Sequence, residues 1–199
     1  MTALGGVAAN YPLNLFILAD TLDPVSTSMP NPPIVSKTNS NFSQSIVPTH
    51  TFANPPDVQL DVLFIPGGFG TRAVAPKLDS AIDFIRTTYP SLQYLVTVCT
   101  GSALAARAGI LDGRNATSNK AAFAWVETQG PNVNWITHAR WVVDGNIYTT
   151  SGIAAGIDGT VQFIADVYNA TLAQSISDQM EYVRWMNASY DPFADLYGL

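Results

Sequence analysis

Cysteine is nearly absent from this chain: Cys99 is the only one in 199 residues. That excludes an intrachain disulfide and a thiolate-rich metal centre. Histidine is almost as scarce, with only His50 and His138, so a histidine-rich zinc site is not expected. Charge is sparse at 12% of residues, and 9 Lys and Arg face 15 Asp and Glu, a net charge of −6. Nucleic-acid binding needs a basic stripe to meet phosphates, and dispersed cations do not make one. No apolar run reaches the roughly 20 residues of a membrane helix. The apolar stretch 13–19 has no basic segment before it, so it does not read as a secretory leader. On that basis the sequons at Asn41, Asn115, Asn169 and Asn187 read as coincidental. The expectation is a cytoplasmic protein with no metal, no cofactor, and neither nucleic acid nor membrane as a partner.

What is abundant is core material. Hydrophobic residues make up 47% of the chain, far too many for a disordered polymer of low hydrophobicity and high charge. The length fits one domain spanning 1–199. Residues 13–19 suit a buried strand. The stretch 20–60 is dense in proline, which forbids long helices and leaves room for edge strands near Ile34–Val35 and Ser45–Val47. From Asp61 the pattern becomes regular. Strands are predicted over 61–66 and 94–98, and each is followed by a helix, over 76–89 and 102–108. A short strand over 114–117 and a helix over 121–127 come next. Strands over 135–137, 140–143 and 147–151 follow, the last two joined by a hairpin turn at Asp144, Gly145 and Asn146. Helical spacing then marks Ile157, Val161, Ile164 and Tyr168, and again Leu172, Ile176, Met180 and Val183. Strands alternating with helices predict an α/β fold with a mostly parallel sheet sandwiched by helices.

The most informative segment is Val98-Cys99-Thr100-Gly101-Ser102. A buried strand runs into a polar residue and then a helix, the geometry of a nucleophile elbow at the carboxyl edge of a sheet. The N–H groups of that helix would face the thiol and lower its pKa. Ile65-Pro66-Gly67-Gly68-Phe69-Gly70 also follows a buried strand, and its glycines could expose N–H donors as half of an oxyanion hole, with Thr100 N–H supplying another. Thr149-Thr150-Ser151-Gly152-Ile153 forms a third strand end that could wall the same pocket, with Asp158 near the helix start in a helix-dipole role. His50 and His138 read as surface or hydrogen-bonded histidines, and the aromatic stretch 190–197 as packing back on its own domain.

Residues 61–68 (DVLFIPGG), 98–102 (VCTGS), 108–114 (AGILDGR) and 151–158 (SGIAAGID) together resemble the ThiJ/PfpI superfamily, and the Cys-Thr-Gly elbow resembles its isonitrile hydratase branch and the fungal relatives of that branch. The resemblance implies a flavodoxin-like fold of the class I glutamine amidotransferase kind, and a homodimer. It implies Cys99 as nucleophile with Thr100 placing water or substrate. Gly67, Gly68, Phe69, Gly101, Asn119, Ser151, Gly152 and Ile153 would form the oxyanion and substrate site for a small molecule. In that branch the thiolate attacks an isonitrile carbon, and water releases a formamide. Relatives also carry a first strand followed by an acidic residue against the cysteine, whereas this chain opens on Met1-Thr2-Ala3-Leu4 and its first acid is Asp20; that strand and acid are therefore expected to be missing. Where cousins of glyoxalase or deglycase type carry a histidine, this chain has Thr100 and Asn119. The readings left open are an isonitrile hydratase-like enzyme, a glyoxalase or deglycase, and a redox-sensing or degenerate family member.

Overall fold

The computed structural model describes residues 3–28 and 42–199. It opens with a short helix, α1 (Ala3–Ala8), followed by four two-residue strands: β1 (Leu18–Ala19), β2 (Val25–Ser26), β3 (Ser45–Ile46) and β4 (His50–Thr51). β1 pairs with β4 in parallel, and β2 with β3 antiparallel. The strand predicted over 13–19 thus shrinks to its last two residues. Its ladder partner among the described residues is equally short, and Leu15 is left 78% exposed, so the apolar run is not covered. The edge strand expected near Ser45 is present as β3, while Ile34 and Val35 lie outside the described residues.

The regular half of the chain comprises β5 (Val62–Ile65), α2 (Asp79–Thr88), β6 (Tyr94–Val98), α3 (Gly101–Arg107), β7 (Asn115–Ala116), α4 (Phe123–Glu127), β8 (Asn134–Trp135), β9 (Trp141–Asp144), β10 (Ile147–Thr150), α5 (Ile153–Val167), α6 (Ala170–Gln179) and α7 (Pro192–Leu196). The main sheet runs β5-β6-β10-β9, with β5, β6 and β10 parallel and β9 antiparallel at one edge. The β9–β10 hairpin turns at Gly145, whose φ is +62°. β7 and β8 form a separate parallel pair.

Strand periodicity explains the two cores. Side chains alternate faces along a strand, so Leu95 and Ile147 point to one side and Val96 and Tyr148 to the other. The first face packs under α2 and α3 through Ile82, Ile85, Leu104 and Ala105. The second packs under α1, α5 and α6 through Val7, Val161, Ile164 and Ile176. Leu95, Val96, Val161 and Ile164 are fully buried, and each contributes about 1.5–3 kcal/mol by leaving water. Both central strands are covered on both faces, which is why their sequences read as continuous apolar runs.

One predicted helical face ends early. Val183 does not continue α6: the helix stops at Gln179, Glu181 takes a left-handed φ of +50°, and Val183 is 94% exposed. From there the chain turns back across the carboxyl end of the sheet as an irregular segment ending in α7. Among the described residues no helix is long and apolar enough to cross a membrane.

Candidate active site

At the carboxyl end of β6 the backbone turns sharply into α3, and the turn residue is Cys99, with φ +57°. A non-glycine residue in this region is strained by roughly 1–2 kcal/mol and persists only where its surroundings over-determine it. Here they do. The Cys99 N–H donates to the Thr150 carbonyl at the end of β10 (3.2 Å). The Cys99 carbonyl accepts from the hydroxyls of Ser118 (2.9 Å) and Ser102 (3.2 Å). Three separate parts of the chain therefore hold the two peptide groups that flank one strained residue.

Glycines let the two parallel strand ends close on each other. A Cβ at Gly101 would lie 2.2 Å from the Ile65 carbonyl oxygen, and one at Gly67 would lie 2.7 Å from Cys99 Cβ. In the resulting junction the Gly68 N–H donates to Thr100 Oγ1 (3.0 Å), and the Thr71 hydroxyl reaches both the Gly68 carbonyl (2.7 Å) and Thr100 Oγ1 (2.9 Å). The Gly68 N–H, expected as an oxyanion donor, is thus engaged with Thr100 within the protein. Phe69 stands beside the junction on a 3₁₀ turn, about half exposed.

The thiol is half-buried. Burial pushes its pKa up, and this outweighs the backbone N–H and hydroxyl of Thr100, both of which favour the thiolate. The sequence led to the opposite expectation, a lowered value. The sequence shows the helix that follows the thiol but not the desolvation around it, and desolvation is the larger effect.

The other expected site residues lie around a neighbouring cavity of about 240 Å³. Asn119, Ser151, Gly152 and Ile153 line it, joined by Lys120, Arg140 and, from the C-terminal segment, Asp191, Phe193 and Tyr197. The structure therefore divides the expected site in two. Gly67, Gly68, Cys99, Thr100 and Gly101 build the elbow, and the remainder, apart from Phe69, line the cavity. Cys99 does not line the cavity; it bonds to Ser118 and Thr150, the chain neighbours of the lining residues Asn119 and Ser151. Asn119 also has a structural duty: its side-chain oxygen accepts from the Ala122 N–H and caps a 3₁₀ turn (3.1 Å).

The sequence reading gave Asp158 too small a role and passed over Lys120 and Asp191. Asp158 is fully buried and far more than a helix-dipole partner. It accepts from Arg140 (2.7 Å), from the Tyr182 hydroxyl (3.0 Å) and from the Trp185 N–H (2.8 Å), and so pins the C-terminal segment to α5. Lys120 and Asp191 are buried as a pair, with Nζ and Oδ2 3.6 Å apart. The Asp191-Pro192 dipeptide was the available signal: a carboxylate at the N-cap, here accepting from the Phe193 N–H, and proline at the first helical position announce a helix start. The histidines stay at the surface. His138 Nε2 meets Asp195 (3.0 Å), and His50 meets the Thr49 hydroxyl (3.0 Å). As expected, the C-terminal stretch packs on its own chain, through buried Asp191 and Ala194.

A mostly parallel sheet sandwiched by helices, with a strained cysteine at a strand–helix elbow, defines a flavodoxin-like α/β protein with a candidate thiol site. The DJ-1/PfpI family model matches residues 9–166, and the chain belongs to that family. It is 35% identical over 145 residues to an isonitrile hydratase of Pseudomonas putida, covering 72% of this chain and 60% of that protein. It is 33% identical over 120 residues to CdhR, an HTH-type transcriptional regulator of Pseudomonas aeruginosa, covering 60% of this chain and 34% of the regulator. The chain thus spans three-fifths and one-third of the lengths of these curated relatives. A solved ThiJ/PfpI family protein from Pseudomonas syringae superposes with a TM-score of 0.67 at 31% identity, covering 94% of this chain and 72% of that one.

Proposed function

We propose that this protein is a cysteine-dependent enzyme that hydrates an isonitrile-like carbon to a formamide through an adduct on Cys99. The observation that carries the reading is the strained, triply anchored Cys99 at the β6–α3 elbow, whose anchors Ser118 and Thr150 adjoin residues lining a small cavity. The likeness to isonitrile hydratase supports the choice of substrate class.

The chemistry balances without an added oxidant or reductant. The Cys99 sulfur bonds to the terminal isonitrile carbon, and the proton lost from the thiol ends on that carbon, giving a thioimidate. Water then adds to the same carbon and the C–S bond breaks. The water oxygen becomes the formamide carbonyl, one of its protons goes to nitrogen, and the other returns to sulfur. The Thr100 N–H and hydroxyl, which favour the thiolate, supply the preference for charge on sulfur at the moment of attack. Because burial opposes that preference, only a small fraction of the protein carries thiolate at neutral pH and turnover is slow. Glyoxalase-like chemistry is less well supported, because the position where a base would stand is Asn119, whose side-chain oxygen is committed to a turn.

A second reading is ligand recognition without turnover, favoured by the upward-shifted thiol and the engaged Gly68 N–H. One assay separates them. Incubation with a panel of small alkyl and aryl isonitriles should yield formamide with the wild-type protein and none with Cys99→Ala. Formamide at equal rates from both proteins, or from neither across the panel, refutes the hydratase reading; a ligand-induced rise in Tm without product would establish the second.

A further inference from the structure

The hydration scheme makes no use of Lys120, yet this is the most deeply buried cation near the site. Its side chain is 1% exposed. A lysine ammonium has three N–H donors, and all three are taken: by Thr117 Oγ1 (2.7 Å), the Ala139 carbonyl (2.8 Å) and the Ser118 carbonyl (3.2 Å). Asp191 Oδ2 is left 3.6 Å away, buried and without a hydrogen-bond donor, held by charge alone. Asp191 belongs to the C-terminal segment, which lies beyond the region that the family model matches.

The contacts form a chain leading to the reactive group. Lys120 fixes the Ser118 carbonyl, and the Ser118 hydroxyl donates to the Cys99 carbonyl (2.9 Å). That bond helps hold Cys99 in its left-handed conformation. The conformation in turn sets the sulfur at the start of α3 beside Thr100, whose N–H and hydroxyl favour the thiolate. Losing a link lets the elbow relax toward an ordinary backbone geometry and moves the sulfur relative to Thr100.

We propose that Lys120 is a positioning residue for Cys99, and that through its ion pair with Asp191 it couples the C-terminal segment to the reactivity of the thiol. The proposal deepens the reading of Cys99 as the reactive group and rests on it. Nothing in it requires Lys120 to touch substrate. It acts through Ser118, while Asp191 supplies the charge that makes a buried ammonium tolerable. The Lys120–Asp191 pair also lines the cavity, so a ligand seated there meets the same device.

The test is alkylation of Cys99 by iodoacetamide, which needs no substrate and has no competing thiol. Ser118→Ala should slow alkylation at neutral pH by about threefold to tenfold, as the apparent pKa of the thiol rises by half a unit to one unit. Lys120→Met strands a buried carboxylate and should melt well below wild type. Adding Asp191→Asn removes that stranded charge, so the double variant should regain most of the lost Tm while its alkylation stays as slow as in Ser118→Ala. Two results would overturn the proposal: a double variant whose alkylation returns to within twofold of wild type along with its Tm, or an unchanged rate in Ser118→Ala. Should Lys120→Met fail to fold, the double variant and Ser118→Ala decide the matter. Failure of the functional reading looks different: a wild-type thiol that reacts only on unfolding ends the nucleophile role of Cys99, and the positioning role with it.

Discussion

The elbow at Cys99 and the wall at Lys120 and Asp191 lie side by side and hold polar groups away from water in opposite ways. The elbow uses no formal charge. Its strained residue is held by a backbone bond to Thr150 and two serine hydroxyls, and its glycines let strand ends press together. The wall uses full charges: Lys120 against Asp191, and Arg140 against Asp158. Hydroxyl and backbone bonds contribute about 0.5–1.5 kcal/mol each and are lost singly at modest cost. Buried ion pairs add little net stability, but losing one partner leaves an uncompensated charge. The elbow should therefore degrade gradually under substitution, and the wall should fail abruptly.

The largest expected effect follows from that contrast. Asp158→Ala removes the partner of Arg140, whose side chain is only 13% exposed, and frees Tyr182 and the Trp185 N–H at the same time. The loss should be about 3–5 kcal/mol in denaturant titration. Proteolysis of the variant should begin between residues 180 and 190. Ser102→Ala, which removes one of the two hydroxyl donors to the Cys99 carbonyl, should cost about 0.5–1.5 kcal/mol. Equal losses in the two variants would erase the distinction between the regions.

The same contrast explains what the sequence made legible. The elbow is assembled from consecutive residues. Tyr94–Val98 is a strand as predicted, Val62–Ile65 falls inside the predicted 61–66, and the Cys-Thr-Gly and Pro-Gly-Gly turns sit where those strands end. Local pattern therefore sufficed. The wall gathers Lys120, Arg140, Asp158 and Asp191 from four distant places, and no periodicity links them. A lone lysine after Thr117-Ser118-Asn119 reads as solvent-facing until the C-terminal segment is seen folded over it. Helix α1 escaped for a related reason. Ala3–Ala8 contains two glycines and too few residues to be helical alone, and its stability comes from burying Val7 and Gly6 against α5 and α6, with Gly6 close against Ile176.

Titration sharpens the comparison further. Burial lowers the Lys120 pKa from 10.5 to about 8, only partly offset by Asp191. A basic group whose folded pKa is depressed binds fewer protons in the folded than in the unfolded state between those two values. Its contribution to stability is therefore present above 10.5 and is lost as pH falls through about 8. Relative to the Lys120→Met, Asp191→Asn double variant, wild type should gain about 3 kcal/mol between pH 8 and 10.5. A flat difference across that window would mean that the ammonium is fully compensated where it lies.

At the elbow the sign reverses. The Cys99 thiol has its folded pKa raised above 9.0 by burial, against the pull of Thr100. An acid with a raised folded pKa holds its proton longer in the folded state than in the unfolded one. Its contribution is full below the unfolded value and is lost as pH rises through the folded one. Relative to Cys99→Ala, wild type should lose stability as pH rises above 9.0, and Lys120, which titrates in both proteins, drops out of the difference. The effect is the smallest of those expected here, because the thiol is only half-buried and Thr100 offsets part of the cost. Isothermal denaturant titrations of wild type and Cys99→Ala at stepped alkaline pH would resolve it. A difference that instead grows in favour of wild type as pH rises toward 9, and then levels off, would mean that the folded protein prefers the thiolate. In that case the Thr100 donors outweigh desolvation, and the elbow activates its cysteine more strongly than its burial indicates.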